Sequence, residues 1–231
     1  MINVLQLAAG KGSRFADYSD LPKPFINVDG MPMFKRAFES LGLQDVRYHI
    51  LFQQEHVNLY NPKQYVPTAT IHTIDYYTDG AATSANYVIS NSEYKIQPWL
   101  IIDCDFIIDW DMQTLPACSA VFVEEHAWDV KSSYSKIDQD GNISCVAEKQ
   151  PISQYRNTGH YYWETGNLFC ESYNFYKTND IRILNEFYIS PLYNYAIQTG
   201  HKVKPVAVNK YLPIGTPADL EKYLNEKDSN I

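Results

Sequence analysis

The sequence lacks long apolar runs and an excess of positive charge, and both absences limit the functions that the protein can have. No stretch approaches the ~18 consecutive apolar residues that a membrane-spanning helix requires, so no membrane association is expected. The formal net charge is -8, because 19 lysines and arginines stand against 27 aspartates and glutamates. This acidity argues against nucleic acid or an anionic membrane surface as the main partner. Any phosphate binding must therefore be local.

Patterns typical of disulfides and zinc sites are also missing. The four cysteines show no CxxC spacing and are predicted to be buried, reduced thiols: Cys104, Cys118, Cys145 and Cys170. The six histidines include no HxH or HxxxH pair, which argues against a zinc site. No basic-apolar signal peptide opens the sequence. Together these features predict a cytoplasmic protein.

Apolar periodicity predicts an α/β fold in one domain spanning residues 1–231. Strands are predicted at 2–7, 46–52, 70–77, 99–102, 119–124, 133–137, 143–147, 160–163 and 203–208. Helices are predicted at 33–43, 79–91, 167–176, 189–199 and 216–225, with a short helix and loop over 56–67. Because strands alternate with helices through the first half, we expect a mostly parallel mixed sheet with flanking helices.

A segment that combines glycines with positive charge follows the first predicted strand. It reads Leu7-Ala8-Ala9-Gly10-Lys11-Gly12-Ser13-Arg14-Phe15, and Leu21-Pro22-Lys23-Pro24 comes shortly after. Two glycines two residues apart let the backbone turn sharply and let N–H groups approach a ligand closely. The loop also carries three cationic side chains: Lys11, Arg14 and Lys23. Fixed amide donors together with mobile cations favour a polyphosphate ligand.

Two aspartates follow the predicted buried strand 99–102. Asp103 and Asp105 are two residues apart, so in extended backbone both side chains point to the same side. Open α/β sheets bind ligands at the carboxyl ends of their strands. Mg²⁺ is commonly held there by one or two carboxylates together with phosphate oxygens. The aspartates are therefore candidate magnesium ligands.

The glycine segment and Pro-Lys-Pro resemble the LxAGxGxR and PKP signature of the sugar-phosphate nucleotidyltransferases. These enzymes of the EC 2.7.7 type join a nucleoside triphosphate to a phosphorylated sugar and release pyrophosphate. Two other phosphate motifs do not fit, since Phe15 replaces the third glycine of the dinucleotide fingerprint and no GxxxxGK[ST] is present. The resemblance implies a Rossmann-like, GT-A-like nucleotidyltransferase fold. Further matching segments extend it over nearly the whole chain: 77–84, 146–151, 157–164, 185–189 and 214–220.

The resemblance implies a role for each matched residue. It assigns Arg14 to the β- and γ-phosphates and Lys23 to the α-phosphate region. Asp105, with Asp103 as a second candidate, is the implied ligand of Mg²⁺. Nucleotide contacts are implied for Leu7, Ala8, Ala9, Gly10, Gly12, Ser13, Gly80 and Ala81. Acceptor contacts are implied for Glu148, Lys149, Gly159, Tyr161 and Glu186.

The implied partners are a nucleoside triphosphate and a small phosphorylated acceptor, with the base, the acceptor and the oligomeric state left open. Sugar 1-phosphates are the commonest acceptors in the family, but small members resemble choline-phosphate cytidylyltransferases. The adjacent Tyr161, Tyr162 and Trp163 have two interpretations, an aromatic cage for a quaternary ammonium group or the packing of a buried strand. By analogy, small chains of this type supply precursors for surface polysaccharides.

One position departs from the family pattern. Many members carry an aspartate, as a second metal ligand, where this chain has Pro213, and Asn209 or Glu186 are the candidate substitutes. Two other functions follow from the same residues. The first is a nucleotide-sugar-dependent glycosyltransferase that uses Asp103-Cys104-Asp105 as a DxD motif, and the second is a non-catalytic nucleotide-sugar sensor.

Overall fold

The structure is a computed structural model that describes residues 1–111, 115–125 and 129–228, apart from the side chains of Lys227 and Asp228. The strands are β1 (Asn3–Ala8), β2 (Asn27–Val28), β3 (Met31–Pro32), β4 (Arg47–Gln53), β5 (Thr70–Ile74), β6 (Trp99–Asp103), β7 (Phe106–Trp110), β8 (Ser119–Glu125), β9 (Ser133–Ile137), β10 (Ile143–Glu148), β11 (Tyr155–Trp163) and β12 (Val203–Pro213). The helices are α1 (Met33–Ser40), α2 (Gln54–Tyr60), α3 (Ala81–Ile89), α4 (Gly166–Thr178), α5 (Tyr193–Gln198) and α6 (Pro217–Asp228). Short 3₁₀ helices lie at Ser13–Phe15, Lys23–Phe25, Pro62–Gln64 and Ser190–Leu192.

One mixed sheet carries the fold, with the strand order β5-β4-β1-β6-β11-β8-β12-β7. Strands β5, β4, β1 and β6 are parallel neighbours, whereas β11 runs antiparallel to both β6 and β8. β12 first pairs parallel with β8 and then continues antiparallel along β7. The β9–β10 hairpin attaches through β9 to β11. The predicted α/β class with a mostly parallel mixed sheet is confirmed.

Alternating side chains of the central strands fill two separate cores, one on each face of the sheet. In β1, Val4 packs on the face covered by α1 and α2, and Leu5 packs on the face covered by α3, α4 and α5. Neighbouring side chains in β6 divide in the same way, with Leu100 on the first face and Ile101 on the second. This alternation follows from the two-residue period of a strand that is buried on both sides.

A third apolar cluster fixes the loop that follows β1 to the carboxyl-terminal helix. Phe15 and Met33 are buried there against Ile214 and Leu220. Because these residues come from distant parts of the chain, their packing brings the glycine segment next to the turn between β12 and α6. Burial of one such large apolar side chain contributes roughly 1.5–3 kcal/mol.

Several element boundaries differ from the predictions. Strand β7 was not predicted, because its pairing partner is the equally unpredicted extension of β12 to Pro213. β5 ends at Ile74 rather than at residue 77, and β11 begins at Tyr155 rather than at residue 160. The helix predicted over 189–199 is a 3₁₀ helix followed by α5. The differences in the strands occur at strand ends, whose positions depend on pairing with another strand.

The cysteine prediction is correct for oxidation state and only partly correct for burial. All four cysteines are free thiols, but only Cys104 is buried; Cys118 and Cys170 are partly exposed and Cys145 is exposed. Cys145 is exposed because it lies on an outward-facing position of β10. Within the described residues, no helix combines the length and the apolar character needed to cross a bilayer.

Candidate active site

The glycine segment and the Pro-Lys-Pro segment lie directly against each other. Gly12 has φ 62°, and a Cβ atom added there would lie 2.9 Å from the Cβ of Lys23. The N–H of Phe15 donates to the carbonyl of Gly12 over 2.9 Å and closes the turn. Arg14 remains exposed at the turn, while Phe15 is buried and anchors it. The structure therefore brings together the cations of two segments that the sequence separates.

Lys23 forms an ion pair with Asp105 across the site. Both side chains are largely buried, at 14% and 7% exposed. Burial lowers the pKa of Lys23, but Asp105 and Cys104 together outweigh this effect, and the resulting pKa lies above its usual value. Lys23 is therefore a fixed cation at the end of β6. This contact joins the candidate phosphate loop to the candidate metal carboxylates.

Asp103 and Asp105 lie close together at the end of β6. Burial and the neighbouring Asp105 carboxylate raise the pKa of Asp103, and Lys23 and Arg14 partly oppose this rise. Adjacent carboxylate oxygens suit Mg²⁺, which proteins often bind through one or two carboxylates plus substrate phosphates. Among the residues that the structure describes, no group of three or more His, Cys, Asp or Glu could hold a metal ion. The donor set thus fits a metal that shares its coordination with phosphate.

The residues suggested as substitutes at the Pro213 position do not join these aspartates. Pro213 pairs with Phe106 at the end of β12 near the site. Asn209 lies four residues earlier on the same strand, roughly 13 Å away in extended backbone. Glu186 acts on the pKa values of Glu148 and Tyr188, and among the described residues it forms no metal-binding group of three with Asp103 and Asp105.

Gly80 lies at the start of α3, as predicted, but its nearest neighbour is another protein segment. Its φ is 138°, and a Cβ atom there would lie 2.4 Å from the carbonyl oxygen of Phe187. The N–H of Phe187 donates to Asp79 O at 2.8 Å, and the N–H of Ala82 donates back to Phe187 O at 2.9 Å. The approach of Phe187 therefore explains the requirement for glycine. These hydrogen bonds hold the 77–84 segment against the 185–189 segment.

The Glu-Lys motif at the end of β10 has two partners that sequence reasoning missed. Glu148 is buried and accepts a hydrogen bond of 2.6 Å from Ser190 Oγ. Burial raises the pKa of Glu148, partly offset by this hydrogen bond and by Lys149. Lys149 has φ 56° and donates to the Tyr188 hydroxyl. Tyr188 lies within the segment already matched at 185–189 and Ser190 directly follows it, and that position was the only signal for them.

Gly159 and Tyr161, which were predicted to line the acceptor pocket, lie on β11. A Cβ atom on Gly159, whose φ is 78°, would lie 2.7 Å from the Phe106 ring and 3.2 Å from Asp103 Oδ2. Tyr161 is buried, and burial followed by the charge of Glu148 raises its pKa. The strand therefore runs between the candidate metal carboxylates and the Glu-Lys motif.

The interpretation of Tyr161, Tyr162 and Trp163 as an aromatic cage is wrong, and the alternative interpretation, strand packing, is correct. Tyr162 packs on the opposite face of the sheet from Tyr161 and Trp163, because successive side chains of a strand alternate. Trp163 is fully buried and stacks on Tyr193 with ring centroids 4.1 Å apart.

Arg156 and Tyr211 form a further feature beside Pro213 that the sequence did not reveal. The Arg156 guanidinium lies over the Tyr211 ring, 4.7 Å from its centroid, and pairs with Glu124. Both residues and Pro213 line a cavity of about 300 Å³. Burial raises the pKa of Tyr211, and its ring centroid lies 5.3 Å from that of Phe106, the residue after Asp105, so the cavity borders the candidate site.

Comparisons with known proteins are consistent with this geometry. No model of a known protein family matches the chain. The chain is 25% identical over 234 residues to a UTP–glucose-1-phosphate uridylyltransferase of Haloferax volcanii, covering 94% of this chain and 92% of that protein. It matches a nucleoside-diphosphate-sugar pyrophosphorylase from Vibrio cholerae RC9 with TM-score 0.83 at 18% identity, over 97% of this chain and 100% of the other. It also matches a CTP:phosphocholine cytidylyltransferase from Streptococcus pneumoniae with TM-score 0.75 at 16% identity, over 97% and 98%.

These structural likenesses show the fold, and the full-length similarity to the uridylyltransferase adds a relative in sequence. Taken with the ordered motifs, they define an enzyme of the nucleotidyltransferase class, EC 2.7.7. In its ordered motifs and along its full length, the chain is similar to the sugar-phosphate nucleotidyltransferases.

Proposed function

We propose that the chain transfers a nucleotidyl group from a nucleoside triphosphate to a sugar 1-phosphate or a phosphoalcohol and releases pyrophosphate. In this reaction an oxygen of the acceptor phosphate attacks the α-phosphorus, and the bond from that phosphorus to the bridging oxygen of pyrophosphate breaks. A phosphate monoester is already anionic, so the attack needs no general base. The protein has to align the two substrates and to stabilise the charge that develops.

The contact between Lys23 and Asp105 is the observation that carries this proposal. It places a fixed ammonium group from the phosphate loop at the carboxylate that follows β6. A triphosphate bound by the glycine segment would meet this ammonium group near its α-phosphate. Arg14 acts electrostatically on both Lys23 and Asp103, which supports its assignment to the more distant phosphates.

The acceptor is assigned to the other side of the aspartates. Glu148 contributes to the raised pKa of Asp103, so the Glu-Lys motif borders the candidate metal site. Ser190 orients the Glu148 carboxylate, which can accept hydrogen bonds from acceptor hydroxyls. Lys149 can contact the acceptor phosphate, with Tyr188 holding its ammonium group. This arrangement supports acceptor binding at Glu148, Lys149, Gly159, Tyr161 and Glu186.

Magnesium is part of the proposal, held by Asp105 and Asp103. When bound, the ion neutralises phosphate charge and orients the triphosphate. The protein's own contribution is to keep the two carboxylates together at the end of β6. Gly159 and Gly215 leave these carboxylates room, because a Cβ atom on either would approach them closely.

The products would be activated precursors, and we propose surface polysaccharide synthesis as their use by analogy with small chains of this type. The relatives named above act on glucose 1-phosphate or on phosphocholine according to their names. Both acceptors carry one phosphate monoester, which is the chemistry that the proposed site requires.

A pyrophosphate-release screen tests this function. Five nucleoside triphosphates (ATP, CTP, GTP, UTP and dTTP) are combined with sugar 1-phosphates, phosphocholine and inositol 1-phosphate in the presence of Mg²⁺. The proposal predicts release that depends on both substrates and that falls roughly 10²-fold or more in Lys23→Met. Lys35→Met is the matched control, since Lys35 pairs with Glu39 on the surface of α1. Release of a nucleoside diphosphate from a nucleotide sugar would instead identify a glycosyltransferase, and binding without turnover would identify a sensor.

A further inference from the structure

Gln53 lies at the carboxyl edge of the sheet, on the strand next to the outermost strand β5. It is the last residue of β4, which lies between β1 and β5. Its side chain is buried, although a glutamine at the end of a strand is ordinarily exposed. It also directly precedes α2 without capping that helix through its side chain. A buried amide in this position requires hydrogen-bond partners.

Those partners come from the segments that follow both neighbouring strands. Gln53 Nε2 donates to the carbonyl of Ala9 over 2.7 Å and to the carbonyl of Tyr76 over 3.3 Å. Because both partners are acceptors, only the amide nitrogen can face them, and the orientation of the amide is fixed. Gln53 therefore ties the end of the glycine segment to the segment that leads to Gly80. These are the two segments proposed to hold the nucleotide.

The other end of the amide remains available. Both amide hydrogens are used, and none of the described residues donates a hydrogen bond to Gln53 Oε1. In a planar amide the oxygen points away from the acceptors of the nitrogen. It therefore presents a hydrogen-bond acceptor at the carboxyl ends of parallel strands, where open α/β sheets bind ligands.

We propose that Gln53 contacts the nucleobase and determines which base is preferred. Its Oε1 accepts a hydrogen bond from an N–H group on the base edge, while its Nε2 keeps the two nucleotide segments at a fixed distance. This inference rests on the proposed function, because it requires a nucleoside triphosphate between these segments. The N–H group belongs either to a ring nitrogen, as in uracil and thymine, or to an exocyclic amine, as in cytosine and adenine, and guanine offers both.

Binding of single nucleotides tests the proposal without knowledge of the acceptor. Calorimetry with Mg²⁺ gives Kd values for UTP, dTTP, GTP, CTP and ATP with the wild-type protein, Gln53→Met and Gln54→Met. Gln54 is the matched control, since it is adjacent and exposed and bonds only to Asn58 within the described residues. We expect Gln53→Met to reduce the ratio between the weakest and the tightest Kd by tenfold or more, whereas Gln54→Met preserves it. If UTP or dTTP binds most tightly, the donor is the ring N–H; if CTP or ATP binds most tightly, it is the exocyclic amine; GTP offers both donors and supports either.

A purely structural role gives a different result. If Gln53→Met weakens the binding of all five nucleotides by the same factor, or if the wild-type protein shows no preference among them, the role of Gln53 in base preference is overturned. The proposed function then still stands if pyrophosphate is released. If no nucleotide binds the wild-type protein, both proposals fail. Should Gln53→Met fail to fold, Gln53→Asn keeps the amide on a shorter side chain, and the same loss of preference is expected.

Discussion

Gly215 lies directly against the carboxylate of Asp105, because a Cβ atom at position 215 would lie 2.4 Å from Asp105 Oδ2. The N–H of Ile214 also donates to the Asp105 carbonyl over 2.9 Å. The turn between β12 and α6 is thereby fastened to a candidate metal ligand. This contact gives a structural reason for glycine in the Gly-Thr-Pro segment.

Gly215→Ala is expected to displace the Asp105 carboxylate without changing any charge. A misplacement of about 1 Å in a catalytic group can cost roughly 10²-fold in rate, so kcat for pyrophosphate release should fall at least tenfold. Thr216→Ala serves as the control, since it removes the hydrogen bond from Asp219 N–H at the start of α6 without crowding Asp105. An unchanged kcat in Gly215→Ala, measured on folded protein, would refute this role.

Gly10→Ala adds the same methyl group at a position where no protein atom is close to it. No heavy atom lies within 4 Å of the position of a Cβ atom on Gly10, and its backbone is outside the left-handed region. The melting temperature should therefore change by no more than about 2 °C. If the backbone here approaches the triphosphate closely, the added methyl group should raise the Kd for the preferred triphosphate roughly tenfold. Equal Kd values for the variant and the wild type would remove Gly10 from the binding surface.

Lys149→Ala should affect only the acceptor. A charge-assisted contact to phosphate is worth about 1.5–3 kcal/mol, so the acceptor KM should rise tenfold or more. Triphosphate affinity, measured by calorimetry without acceptor, should stay within about twofold. Lys136→Ala removes a charge from an exposed position on β9 and is the control. Weaker triphosphate binding with an unchanged acceptor KM would show that the Glu-Lys motif has been assigned to the wrong substrate.

The parts of the site that could be predicted are those with a local pattern. The turn at Gly10 and Gly12 and the aspartates after β6 stand next to apolar strands in the sequence, so strand periodicity locates them. The helices follow from their own apolar spacing in the same way. These predictions needed no knowledge of distant contacts.

The remaining features depend on contacts between distant segments. Ser190 holds Glu148, and Phe187 occupies the space beside Gly80, but neither contact has a sequence period. The β7–β12 pair is of the same kind, because each strand is defined by the other. Gln53 was missed because a buried glutamine between two loops gives no recognisable motif.

Acid should destabilise the fold through two paired histidines away from the site. His49 Nδ1 and His72 Nε2 lie 3.1 Å apart on β4 and β5. Burial lowers the pKa values of both histidines. The charges of His72 and Arg47 lower the pKa of His49 further, to about 4. In the unfolded chain these histidines become protonated near pH 6.5. The stability that the neutral pair contributes to the fold is therefore complete above that pH and is lost as pH falls towards 4.

Urea unfolding at a series of pH values measures this effect. His49→Gln should flatten the fall in unfolding free energy between pH 6.5 and pH 4. His201→Gln, which alters an exposed histidine beside Glu164, should leave the slope as in the wild type. An identical slope in the wild type and in His49→Gln would contradict the assignment.

The steady-state rate of pyrophosphate release by Lys23→Met tests the central claim most directly. The side chain is more buried than its position between two prolines suggests, and its loss leaves the buried Asp105 without its partner, so a lower melting temperature is also expected. The assay is therefore run where circular dichroism shows folded protein, with Lys35→Met as the control. The account predicts that kcat falls roughly 10²-fold or more in Lys23→Met and stays within twofold in Lys35→Met. A folded Lys23→Met variant with wild-type kcat would contradict it.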